Sequence, residues 1–138
     1  VEINESVAPL LFWRKEYQPD SGGSGRYRGG LGQVIEIENA IGQDMELLAA
    51  FDRIDFPARG RAGGADGAAG RVALKKNGKL QGKGCQHIPA GDRLIINTPG
   101  GGGFGPAPER DRQRVRRDLT NGIISHHAAV GDYALTDG

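Results

Sequence analysis

At 138 residues the chain fits one domain with a modest core. Its 18 Lys and Arg stand against 17 Asp and Glu, and a net charge of +1 gives no bulk attraction for nucleic acid. No apolar run reaches the roughly 18 residues of a membrane span, and a single cysteine excludes an internal disulfide, which suits a cytoplasmic, reducing compartment.

The first residues, Val1-Glu2-Ile3-Asn4, have the pattern of a strand. They lack the basic stretch of a signal peptide, and with no initiating Met the chain is expected to be a piece of something longer. Leu10–Tyr17 is short and aromatic-rich and predicts a strand.

A run of different character follows, from Asp20 to Gly32. Gly22, Gly23, Gly25, Gly29, Gly30 and Gly32 fall within it, and each would cost about 1 kcal/mol in a helix interior. The run is therefore a shaped loop, with glycine supplying positive φ or a close approach of backbone to a neighbour. Arg26 and Arg28 lie two apart in it. On a strand-like backbone they face one side and reach a common carboxylate or phosphate; the alternative is pairing with internal acids such as Asp20. Ser21 is a weaker candidate, because no base stands near it in sequence.

Val34–Glu38 alternates, with Ile35 and Ile37 on one face and two glutamates on the other. Met45–Phe51 alternates as well and reads as a strand, although its propensities suit a helix. Residues 58–70, rich in Gly and Ala, predict a mobile loop. Asn77-Gly78 between two short strand patterns is a hairpin signal. Ala90-Gly91-Asp92 predicts a turn before Arg93–Thr98, a strand apolar enough to be central.

The second glycine run comprises Gly100, Gly101, Gly102, Gly103 and Gly105. Its spacing formally matches a dinucleotide fingerprint, but Pro106 and Pro108 interrupt the point where the helix must start. A tight backbone crossing is favoured over a phosphate cradle. Pro108 is then placed in the first turn of a helix of three to four turns that stops at Asn121-Gly122, with Val115 and Leu119 as its apolar seam. The arginines at 110, 112, 114, 116 and 117, interleaved with acids, read as a solvated face. Ser125 caps a second short helix reaching about Ala129.

Metal chemistry is not expected. Cys85-x-His87 offers two ligands without a third, and a partly buried Cys beside a surface His is the simpler reading. His126-His127 is expected to be an exposed pair at a helix start. The fold class is α+β, predominantly antiparallel β with one or two short C-terminal helices. It forms a single domain, with residues 1–107 mainly β and glycine-rich loops and residues 108–138 a helical appendage.

Three stretches together resemble the hydantoinase B family, which includes N-methylhydantoinase B subunits, the matching part of 5-oxoprolinase and the related subunit of ketone carboxylases. They are Asp20–Gly32, Thr98–Pro106 with Arg110, and Val115-x-x-Asp118-x-x-Asn121-Gly122 followed by Ser125, Ala128-Ala129 and Asp132-Tyr133. After Tyr133 the family tends to continue with a glycine and an apolar strand; Ala134–Gly138 is more polar. The resemblance implies a C-terminal part of a larger subunit in an ATP-dependent cyclic amidohydrolase. Its partners would be the remainder of that B subunit and a hydantoinase A-type subunit. No cofactor is expected on this chain, while the parent would use ATP and a divalent metal on a small cyclic amide. Arg26 and Arg28, with Ser21 and Asp20, would then bind substrate or phosphate. The alternative implied role is a structural and assembly module, in a hydantoinase or ketone carboxylase complex, with no catalytic residues of its own.

Overall fold

The computed structural model describes residues 1–136; Asp137 and Gly138, the end of the polar tail, lie outside the described residues. Seven strands and three short helices follow in order: α1 (Glu2–Val7), β1 (Leu10–Tyr17), β2 (Gln33–Asn39), β3 (Met45–Ala50), β4 (Arg71–Leu74), β5 (Gly78–Lys79), β6 (Lys83–Ile88), β7 (Arg93–Asn97), α2 (Arg112–Thr120) and α3 (His126–Gly131). All strand pairs are antiparallel. The expected α+β class, mostly antiparallel, is what the chain adopts.

One sheet has five strands in the order β1-β2-β7-β4-β5, and β3 pairs with β6 in a second sheet of two. Register explains the packing. Ile37 opposes Leu94 and Ile35 opposes Ile96, and across β7 the same residues oppose Leu74 and Val72. These side chains share one face, because alternate residues of a strand point the same way. Met45, Leu47 and Ile88 of the small sheet cover that face and complete the first core. Met45–Ala50 is thus a strand, since its alternating apolar residues had a sheet to cover. The other face is mixed, with Val34, Ala73 and Ile95 beside Glu36, Glu38 and Arg93. There Trp13 sits at a bulge in β1, stacks under Arg93 at 3.7 Å and donates to Glu38.

The Asn77-Gly78 hairpin forms, with Leu74 opposite Gly78, so that residues 75–77 make the loop. Asp92 secures it by accepting from the Lys76 and Arg93 amides and the Asn77 side chain. Burial alone would raise the Asp92 pKa; these hydrogen bonds outweigh it and hold the carboxyl below its ordinary value.

Several expectations are corrected. Val1–Asn4 is not a strand: residues 2–7 form α1, with Glu2 and Glu5 in its first turn, and Glu5 accepts the Phe12 amide at the edge of β1. Pro108 does not open the long helix. It lies in a 3-10 turn over Ala107–Glu109, Arg110 is extended, and Asp111 caps α2 by accepting from the Arg114 amide at 3.0 Å. Arg110 is not solvated either; it is buried. Finally, Cys85 is exposed on β6 rather than partly buried. Elsewhere the end of the chain follows expectation. Gly122 is left-handed after the Asn121 cap, and Ser125 caps α3. Val115, Ile124, Ala129, Tyr133 and Leu135 form a second core.

The glycine runs join the two cores. Residues 98–105 run through the centre, bonded main chain to main chain on several sides. Gly101 exchanges with Gly23 and Gly30, Phe104 with Tyr27, Gly103 and Gly105 with Arg61, and Gly100 and Gly103 with Ala68 and Ala65. Residues 58–70 therefore form a bonded layer of this unit, not a mobile loop. Composition suggested mobility because the segment has few side-chain anchors; its anchors are amides and carbonyls.

Close approach, more than positive φ, is what the glycines supply. A Cβ built on Gly23, Gly29, Gly64, Gly100 or Gly103 would sit under 3.0 Å from backbone atoms of another run. Backbone cannot swing aside as a side chain can. Gly29→Ala is expected to cost at least about 3 kcal/mol, at the upper end of overpacking penalties. A denaturant midpoint within error of the parent protein's would contradict this packing.

Candidate functional site

The sequence candidates gather where the glycine runs meet the helices, and three of the four are tied into internal bonds. Asp20 has a left-handed backbone (φ 58°), which Asp tolerates better than most residues. Its carboxylate accepts the Ser125 amide at 2.8 Å and its own amide reaches the Ile123 carbonyl. Ser21 is buried, donating to the Gln18 carbonyl and accepting from the Gly32 amide. Both side chains hold the loop in place.

Arg28 and Arg26 part company. The Arg28 side chain, only 16 % exposed, donates to Asp118 Oδ2 at 3.2 Å and to the Gly29 carbonyl at 2.7 Å. Arg110 meets the same Asp118 oxygen at 2.8 Å and also donates to the Arg26 carbonyl. One buried carboxylate thus holds two guanidinium groups. Arg26 is 57 % exposed; it lies over the Tyr27 ring at 5.8 Å and stands a loose 3.9 Å from Glu109. Tyr27 and Phe104, both exposed, pack at 6.3 Å between ring centroids.

Asp118 was the residue that single-sequence reasoning passed over as a role-bearing acid. The available signal was its place three after Val115 on the apolar side of α2, where a charge needs a partner. Beside it, Arg110 Nε and the Tyr133 hydroxyl are buried without hydrogen-bond partners; the hydroxyl faces the Gly25 amide short of bonding geometry. Burial pushes the Tyr133 phenol above its ordinary value, so it stays protonated.

Many amides of the glycine runs are already committed to the main chain. The amides of Gly23, Gly29, Gly100, Gly101, Gly103 and Gly105 donate to backbone carbonyls. Among the described residues no group of three or more His, Cys, Asp or Glu is placed to hold a metal. His126 and His127 are exposed at the start of α3. His87, on the outer face of the small sheet, lies between Glu46 (Nδ1 to Oε1, 3.0 Å) and Asp44 (Nε2 to Oδ2, 3.4 Å). No helix among the described residues is long and apolar enough to cross a membrane.

These features define a class: an antiparallel β unit whose glycine runs are main-chain architecture, sealed by a buried ion cluster. The chain belongs to the hydantoinase B/oxoprolinase family, whose model matches residues 1–107. It is 38% identical, over 98% of its length, to an uncharacterized protein of Methanocaldococcus jannaschii, and spans 24% of that protein. It is 41% identical over 75% of its length to 5-oxoprolinase 1 of Arabidopsis thaliana, of which it spans 8%. Against caprolactamase subunit beta of Pseudomonas jessenii it is 31% identical and spans 24%. The crystal structure of that ATP-dependent caprolactamase superposes over 100% of this chain and 25% of its own, with a TM-score of 0.81 at 25% identity. The chain therefore spans a quarter or less of these relatives.

Two outcomes check the electrostatics. Asp118→Asn leaves Arg28 and Arg110 without their shared counter-charge and is expected to cost about 3–5 kcal/mol in a denaturant titration. For His87, the hydrogen bond to Glu46 is the main cause raising its pKa above the ordinary 6.5, with the Asp44 and Glu46 charges adding to it. A raised folded value means that its stabilisation is complete below the unfolded pKa and is lost as pH rises through the folded one. An NMR titration should place the His87 midpoint above 6.5, and Glu46→Gln should lower it; a midpoint at or below 6.5 contradicts the pairing.

Proposed function

We propose that this chain is the glycine-layered scaffold and assembly region of a B-type subunit in an ATP-dependent enzyme that opens small cyclic amides, of the hydantoinase and 5-oxoprolinase kind. The observation that carries this reading is the engagement of Asp20, Ser21 and Arg28 in internal bonds that tie the glycine runs to the helices. The names of the relatives support the reaction class, since they include 5-oxoprolinase and an ATP-dependent caprolactamase.

In this reading nucleotide and divalent metal are held elsewhere. The amides of Gly100, Gly101, Gly103 and Gly105 are committed to carbonyls, and the described residues hold no cluster of three or more His, Cys, Asp or Glu placed for a metal; both support that reading. In this reading ATP and metal belong to a hydantoinase A-type partner and to the rest of the B subunit. The compartment is the cytoplasm, in keeping with the lone exposed thiol.

A second reading gives this region a direct contact with substrate through Arg26. Its exposed guanidinium, only loosely held by Glu109, is the observation in its favour. The two readings separate on Arg26→Ala in the full subunit assembled with its partner. The scaffold reading expects kcat/KM to stay within about twofold; a loss of about tenfold or more at unchanged Tm would assign Arg26 to substrate or phosphate binding.

A further inference from the structure

Gly30 breaks the rule that the other glycines of the three runs obey. Gly63 and Gly105 have positive φ, and the rest have atoms from elsewhere in the chain within 3.4 Å of a built Cβ, in another segment for all but Gly22 and Gly60, whose neighbours lie further along their own run. Gly30 has neither: its φ is outside the left-handed region and a Cβ there meets nothing within 4 Å. Alanine would fit and would lower the conformational entropy of the unfolded chain. Within this chain glycine at position 30 has a cost and no return.

Its surroundings say what kind of neighbour is missing. Gly30 is exposed, and its carbonyl accepts from the Gly101 amide at 2.9 Å. Its own N–H has no acceptor among the described residues. Tyr27 and Phe104, on the same two paired segments, are each 54% exposed. Exposed aromatic rings on the segments that also carry an open backbone donor have the composition of a protein contact. A cavity of about 700 Å³ does exist, but it is lined by Phe51, Ile54, Phe56, Leu80 and Lys83, away from this surface.

We propose that Gly30 is the seat of another extended main-chain segment, supplied by the part of the full-length subunit outside residues 1–138. That segment lies against the bare Gly30 backbone, accepts the Gly30 N–H through a carbonyl and is flanked by Tyr27 and Phe104. It extends the rule of the glycine layers by one more segment. The three-quarters of the M. jannaschii and caprolactamase chains that lie beyond this region provide ample chain for it. The inference rests on the reading of this chain as part of a B-type subunit, but not on whether that subunit is catalytically active.

Residue-resolved amide exchange on the full-length subunit tests it, because the readout is independent of turnover. The subunit alone is expected to protect the Gly30 amide by about 100-fold or more over a free peptide. Gly30→Leu should lower the Tm of that subunit, and Gly30→Ala should lower it less. Exchange at the free-peptide rate under all conditions overturns the proposal. So does protection that appears only when the partner subunit is added, which would place the neighbour on another chain. Protection that appears only with a cyclic amide substrate overturns it as well, and makes the neighbour a small molecule. Loss of turnover in the unmodified enzyme with the Gly30 amide still protected would count against the functional reading and leave this one standing.

Discussion

Everything in this chain depends on main-chain segments approaching closer than any side chain permits. The run 98–105 is surrounded by residues 21–32 and 58–68 at distances that exclude a Cβ from Gly23, Gly29, Gly100 or Gly103. Such a layer buries little hydrocarbon, so the hydrophobic effect that holds the sheet face contributes little here. What holds it are backbone hydrogen bonds, each worth about 0.5–1.5 kcal/mol net. Against them stands the ordering of glycine, at about 1–2 kcal/mol or more of backbone entropy per residue. The two sums are close, and the layer needs its ends fixed by stronger contacts.

The side chains around it supply that fixing. Arg28 and Arg110 converge from the two glycine-bearing halves of the chain onto Asp118 of α2, and Asp20 reaches the amide at the start of α3. The Arg28–Asp118 and Asp20–Ser125 contacts link residues 90 and 105 apart, so each removes a large freedom at once, while Arg110–Asp118, eight apart, fixes the approach to α2 locally. The helices are thus less an appendage than a clamp. Their small core of Val115, Ile124, Ala129 and Tyr133 gives the clamp its rigidity.

The β part was legible because its signals are local. The alternation in Val34–Glu38 and Met45–Phe51, the Asn77-Gly78 turn and the apolar Arg93–Thr98 each carry their own period or turn chemistry. The glycine layer was legible in composition but not in kind. Residues 58–70 look mobile when read alone, since their amides donate to carbonyls of residues 21, 24, 53 and 103 and their carbonyls accept from residues 100, 103 and 105. The pairing of Arg26 with Arg28 failed for a related reason. It assumed a regular strand of period two, whereas the segment is bonded only at chosen points, and the two guanidinium groups find different partners. The start of α2 was misplaced because Pro108 and Asp111 are both good openings, and only the burial of Arg110 decides between them.

A unit made this way has a particular relation to chemistry. Catalytic sites are assembled from side chains, and substitution of those side chains is how one fold comes to act on different substrates. The central layer here presents hardly any. Its specificity lies in where carbonyls and amides meet, which depends on the absence of side chains rather than on their identity. Such a layer can remain while the chemistry around it changes, provided nothing is added to its glycines. That accounts physically for a region shared by proteins named as a 5-oxoprolinase and a caprolactamase subunit. Main-chain geometry of this kind offers few side chains by which to tell one ligand from another, and in this region the exposed Arg26, Tyr27 and Phe104 are the groups outside the layer that could.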